Sequence, residues 1–204
     1  MSKENLSLTS PPSSPSVLHQ QRLDQLAAFV RTSEHILDAW DAYSDQHTDP
    51  DGWPHDDESY GRRAARRDAD TWEAAALIRP FARELLSTAA VQLQHLPARM
   101  VQPAWPWRLT AADDALDQLD ATEAEGSARL DALPPSAGPG TEAYDDLVDA
   151  RNAEAWHALN ELALHTPAIL AIHAAVQAAP PRLESVAPRP APAVAASPAP
   201  TARR

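Results

Sequence analysis

The amino-acid sequence predicts an all-α protein, an antiparallel bundle of about four long helices with disordered ends. Three observations lead there. Only five of the 204 residues are glycine, whereas 42 are alanine. Alternating runs of Val, Ile, Thr and aromatic residues, from which strands are built, are missing. Ala, Leu, Arg, Glu and Gln, all strong helix formers, fill the middle of the chain.

Residues 1–16 are rich in Ser and Pro and predict a disordered lead. A helical period begins at Val17: Leu23, Leu26, Val30, Leu37 and Trp40 keep helical steps, and Phe29, Ile36 and Tyr43 widen the same side. This helix is expected to end near Asp45. A second helical region covers residues 57–96, with a stripe of Ile78, Ala82, Leu85, Ala89, Leu93 and Leu96 broadened by Leu77, Phe81 and Leu86. Pro80 predicts a kink or restart near Arg79, because proline removes one hydrogen bond and clashes with the preceding turn.

Residues 97–108 hold three prolines and are expected to break the helical path. Thr110, with Asp113 three residues on, predicts the cap of a third helix. Its apolar side (Leu116, Leu119, Leu130, Leu133) is thin, and Gly126 weakens its middle. A fourth helix starts near Thr141 and carries Tyr144, Val148, Ala155, Leu159, Leu162, Ile169 and Val176. Thr166-Pro167 marks either a kink or the start of a separate helix. Seven prolines in the last 25 residues make 180–204 a predicted disordered tail, leaving 17–179 as the helical domain.

The formal net charge of −12 opposes non-specific attraction to nucleic acid or to an anionic membrane. There are no cysteines, which excludes disulfides and thiolate metal sites. No uninterrupted apolar run approaches the roughly 18 residues of a membrane span, and the amino terminus lacks a signal-peptide core. The expected location is the cytoplasm. No phosphate loop or hydrolase elbow occurs, which leans away from an enzyme and assigns no catalytic residue, cofactor or metal.

Four stretches are candidates for function. The first, "HTDPDGWPHDDE", places His47, Asp49, Asp51, Gly52, His55 and Glu58 at positions 1, 3, 5, 6, 9 and 12. It resembles the calcium loop of the EF-hand family, in which such positions supply oxygen ligands around an obligatory glycine. It departs from that family at His47, where a carboxylate is usual, and at Pro54 in the pairing segment. The preferred reading is a turn, with calcium as the alternative.

The second is Glu154, His157, Glu161 and His165, whose spacing shares a helix face and offers a transition-metal alternative to a solvated surface. Arg62, Arg63, Arg66 and Arg67 form the third, a basic patch. It is expected to pair internally with the acids of the third helix (Asp113, Asp114, Asp117, Asp120, Glu123, Glu125) or along its own helix. Its use as a phosphate-contacting surface of a nucleic-acid-associated regulator is the least favoured function.

The fourth is Trp105 and Trp107, set in a proline-rich loop as interface anchors or as plugs for the bundle end. The resulting expectation is a non-enzymatic interaction or accessory protein, monomer or homodimer. It would bind a protein partner through Trp105, Trp107 or the arginine patch.

Overall fold

The computed structural model describes residues 15–180, and they are all-helical apart from turns and one isolated bridge. Six helices follow in order: α1 (Pro15–His47), α2 (Asp57–Ala76), α3 (Arg79–His95), α4 (Trp105–Asp131), α5 (Glu142–His165) and α6 (Pro167–Ala178). A single 3-10 turn, Ala98–Met100, lies between α3 and α4. The expected lead and tail lie almost wholly outside the described residues. Pro15 and Ser16, assigned to the lead, already belong to α1.

Each boundary has a local cause. Asp56 caps α2, its carboxylate accepting from the backbone N–H of Glu58 and Ser59. Asp57 and Glu58 in the first turn complement the positive end of the helix dipole. The second region breaks at Leu77–Ile78 and restarts at Arg79, with Pro80 inside the first turn where its missing N–H costs nothing. Thr166 closes α5 and Pro167 opens α6 by the same logic.

The third helix differs from expectation. It begins at Trp105, not Thr110, because Pro106 stands in its first turn, where proline is tolerated. Thr110 is therefore inside the helix, and its hydroxyl donates to the Pro106 carbonyl at 3.2 Å instead of capping. The early start turns Trp105, Leu109, Ala112 and Ala115 into the core. Leu130 and Leu133 are only half-buried.

α5 packs against α4 and α2 along its length, while α3 lies on α4 and α6. Leu26, Ile78, Leu85, Leu119, Leu159, Leu162 and Ile172 are the largest apolar side chains fully removed from water. Among the described residues, ten of the 26 buried apolar ones are alanine, so neighbouring helices approach closely and each contact buries little area. Gly126 marks a close approach, since a Cβ there would lie 2.9 Å from the Arg151 side chain of α5. Leu77, expected to broaden the core stripe, is instead 67% exposed, because the helix break turns it outward.

Read as one run, Glu142–Ala178 contains an 18-residue window of mean hydropathy 1.2, apolar enough by length and composition to cross a membrane. Leu159, Leu162, Ile169 and Ile172 in that run are core residues, so its apolar character is used inside the protein.

Candidate functional sites

The loop between α1 and α2 is closed by its own backbone. Thr48 and Pro54 form an antiparallel bridge. The flanking N–H groups of Asp49 and His55 donate to the carbonyls of Trp53 and His47, both at 2.8 Å. Pro54 therefore stands where no N–H is required. The Asp49 carboxylate accepts from the N–H groups of Asp51 and Trp53, each at 2.9 Å. Gly52 supplies the positive φ of 86° that the turn needs.

Of the remaining would-be ligands, Asp51 and His55 are exposed, and His47 and Glu58 have partners of their own. His47 stacks on Tyr43 with ring centroids 3.9 Å apart, and one ring nitrogen hydrogen-bonds the Tyr43 carbonyl. Glu58 pairs with Arg62. Asp56 has its carboxyl held below the ordinary range, by hydrogen bonding with Ser59 first and then with the N–H of Glu58. Among the described residues, no three His, Asp or Glu side chains converge as a metal-binding group.

The loop folds α2 back so that the arginines of its first half meet the aromatic end of α1. Arg67 is the centre of that contact. Its guanidinium lies 4.2 Å from the Trp40 ring centroid of α1 and 4.0 Å from that of Trp156 of α5. The cation is thus held between two indoles. Its edge pairs with Asp68 at 2.7 Å. Asp68 is 4% exposed, and burial raises its pKa above the ordinary value despite the opposing pull of Arg67. Thr71 and Asn152 are also buried on the two facing helices, α2 and α5.

Beside Arg67, Arg63 sits 5.6 Å above Tyr43. Tyr60 meets Trp40 edge-on at 5.0 Å and shares a 2.9 Å hydrogen bond with Ser44. Arg62 and Arg66 pair along their own helix with Glu58 and Asp70, as the four-residue spacing predicts.

The expected pairing with the acids of α4 is corrected by the structure. Four of those six acids meet arginines of α3: Arg83 contacts Asp113 at 3.2 Å and Asp117 and Asp120 at 2.7 Å, and Arg79 pairs with Asp120 and Glu123, while Glu125 pairs with Arg129 of its own helix. The restart at Arg79 turns these two cations toward α4, while the α2 arginines face α1.

On α5, the four predicted residues divide. Glu154 pairs with Arg129 of α4 at 2.8 Å. His165 is 2% exposed, its Nε2 lying 3.0 Å from Glu161 and its Nδ1 without a hydrogen-bond partner among the described residues. His157 and Glu161 line a cavity of about 210 Å³ with Asp114 and Gln118 of α4. His173, on α6, is half-buried against His19 of α1, with ring centroids 5.2 Å apart. Burial, and then His19, hold its pKa below the ordinary value.

The two tryptophans also part company. Trp105 is 4% exposed and packs in the core, as the plug reading of the two expects, and not as a surface anchor. Trp107 is 60% exposed, and its ring meets His165 edge-on at 4.8 Å. A two-residue offset on a helix points side chains to opposite sides, which is why one proline-rich stretch supplies both a core residue and a surface one. Sequence reading missed the Trp40–Arg67–Trp156 stack. Its only signal was the pair Arg67-Asp68 on the core-facing stripe of α2. Comparison of the chain with family models, curated proteins and solved structures gives no match.

Proposed function

We propose that this is a non-enzymatic helical interaction or accessory protein that binds another protein, with Trp107 as the anchor. The observation that carries this reading is the exposed indole of Trp107, held against His165 at the start of a long helix. An indole fixed before binding loses little rotamer freedom on capture and buries a large apolar surface. Leu164, the neighbour of His165, is 58% exposed and adds a second apolar side chain at that end of α5. Arg62 and Arg66 have acid partners within α2 and contribute less than an unpaired cation would.

The proposal includes the finer architecture. α2 with α3, and α5 with α6, count as two bent rods joined to α1 and α4 in an antiparallel bundle of about four. The short breaks at Leu77–Ile78 and Thr166 support this count.

The test places a photo-crosslinking amino acid at position 107 and, as control, at Trp53, which is 72% exposed on the α1–α2 loop. In lysate of the source organism, position 107 is expected to give a discrete protein adduct that position 53 does not. Equal adducts at both positions, or none at 107, would overturn the proposal.

A further inference from the structure

We infer that the cavity between α1 and α2 is a binding site for a small monocarboxylate carrying a flat apolar group. The cavity measures about 180 Å³ and is walled by Ile36, Ala39 and Trp40 on one side and Arg63, Arg66 and Arg67 on the other. Drug-sized ligands occupy about 300 Å³ or more, so this space suits a small acid and excludes a nucleotide.

The charge arrangement selects the anion. Arg66 is held by Asp70 through two contacts, Nη2 to Oδ1 at 2.9 Å and Nε to Oδ2 at 3.1 Å. Arg67 is held by Asp68. Arg63 has no carboxylate partner among the described residues; it lies over the face of Tyr43. Three guanidiniums therefore meet two carboxylates, leaving one positive charge in a chain whose net charge is −12. Asp70 on the cavity wall disfavours a second negative charge on the ligand, which sets a monoanion above a phosphate dianion.

Geometry agrees with charge. A guanidinium lying over an aromatic face keeps its N–H edge directed sideways, where a planar carboxylate is bound by two parallel hydrogen bonds. Opposite, Ile36 and Ala39 form an aliphatic floor beside the Trp40 indole, which also touches Arg67 and Tyr60, and this apolar wall matches the body of an aromatic acid. His35 lies on the same wall.

The experiment is a calorimetric titration of the full chain with benzoate, and with benzamide as the neutral analogue of the same shape. Benzoate is expected to bind saturably with a dissociation constant below about 5 mM, and benzamide at least about tenfold more weakly. Arg63→Gln removes the clamp, and Arg63→Lys keeps the charge without the planar fork. The first should lose benzoate binding and the second should weaken it. Ala39→Leu fills the cavity from the apolar side with no change of charge and should also abolish binding. No saturable heat from benzoate, equal binding of benzamide, or undiminished binding by a folded R63Q or A39L protein would each overturn the inference.

Discussion

Substituting Gly126 by Ala tests whether α4 and α5 approach as closely as their alanine-rich seam implies. Replacing glycine inside a helix by alanine ordinarily gains about 1 kcal/mol from backbone entropy. Here the added methyl would come within 2.9 Å of both Cγ and Cδ of Arg151. That stem cannot simply swing aside, because its guanidinium lies 4.2 Å from the Trp72 ring and donates to Asn152 Oδ1 at 2.8 Å. Overpacking of this kind costs about 1–3 kcal/mol. The expected net effect is a protein between equally stable and about 2 kcal/mol less stable, by the difference of the two terms.

The sign reverses once the obstruction is removed. In an Arg151→Ala background the same Gly126→Ala substitution should stabilise by about 1 kcal/mol, so the two positions couple by about 1–3 kcal/mol. Chemical denaturation of the four proteins of the cycle, followed by helix signal, measures this directly. If Gly126→Ala stabilises equally in both backgrounds, the two helices do not meet at this point and the close-seam account is wrong.

Three further outcomes are expected. Trp105→Ala should destabilise by about 3–5 kcal/mol, a fall of roughly 10 °C in Tm, whereas Trp107→Ala should change stability by less than about 1 kcal/mol. Equal losses would mean that the two rings are not divided between core and surface. His173 is neutral in the folded protein below the pH at which it would protonate in the unfolded chain, so its contribution is complete above about pH 6.5. That contribution is lost as pH falls through the lower folded-state value. A His173→Gln protein should therefore lose less Tm than the natural one between about pH 7.5 and pH 5.5, and identical losses would refute the assignment. In the loop, Asp49→Ala should cost about 1–2 kcal/mol by releasing two backbone N–H groups, and Glu58→Gln under about 0.5 kcal/mol. A stabilisation by calcium that Glu58→Gln abolishes would reverse that order and make the loop a cation site.

The helices were legible because a single apolar face repeats with the helical period. Ile78, Ala82, Leu85, Ala89 and Leu96 are all buried as their spacing predicts. The restarts at Arg79 and Pro167 were legible because proline cannot continue a helix but can open one. The same rule, applied to the stretch before Thr110, misled: Pro106 is compatible with a first turn, and taking it as a break put the helix start five residues too late and left open which of Trp105 and Trp107 faces the core. Polar residues in the interior were the hardest to see. Ser33, Asp68, Thr71 and Asn152 occupy the inner face among apolar neighbours. A charged residue on such a stripe is ordinarily read as its edge. The partners of Arg67 stand at positions 40 and 156, and no local pattern links residues so far apart in the chain. The acids of α4 were visible as a group, but their partners depended on how α3 is turned after the restart.

One consequence of the Trp40–Arg67–Trp156 stack concerns observation of the protein itself. α1 supplies one indole, α5 the other, and α2 the guanidinium between them. Indole emission shifts with the electric field across the ring, so each tryptophan senses the same cation from an opposite side. Were α1 to lift from its neighbours, Trp40 would leave that field while Trp156 stayed within it. Once the emission of Trp40 and Trp156 is separated from that of the other four tryptophans, the pair gives an intrinsic optical gauge of whether the first helix is seated.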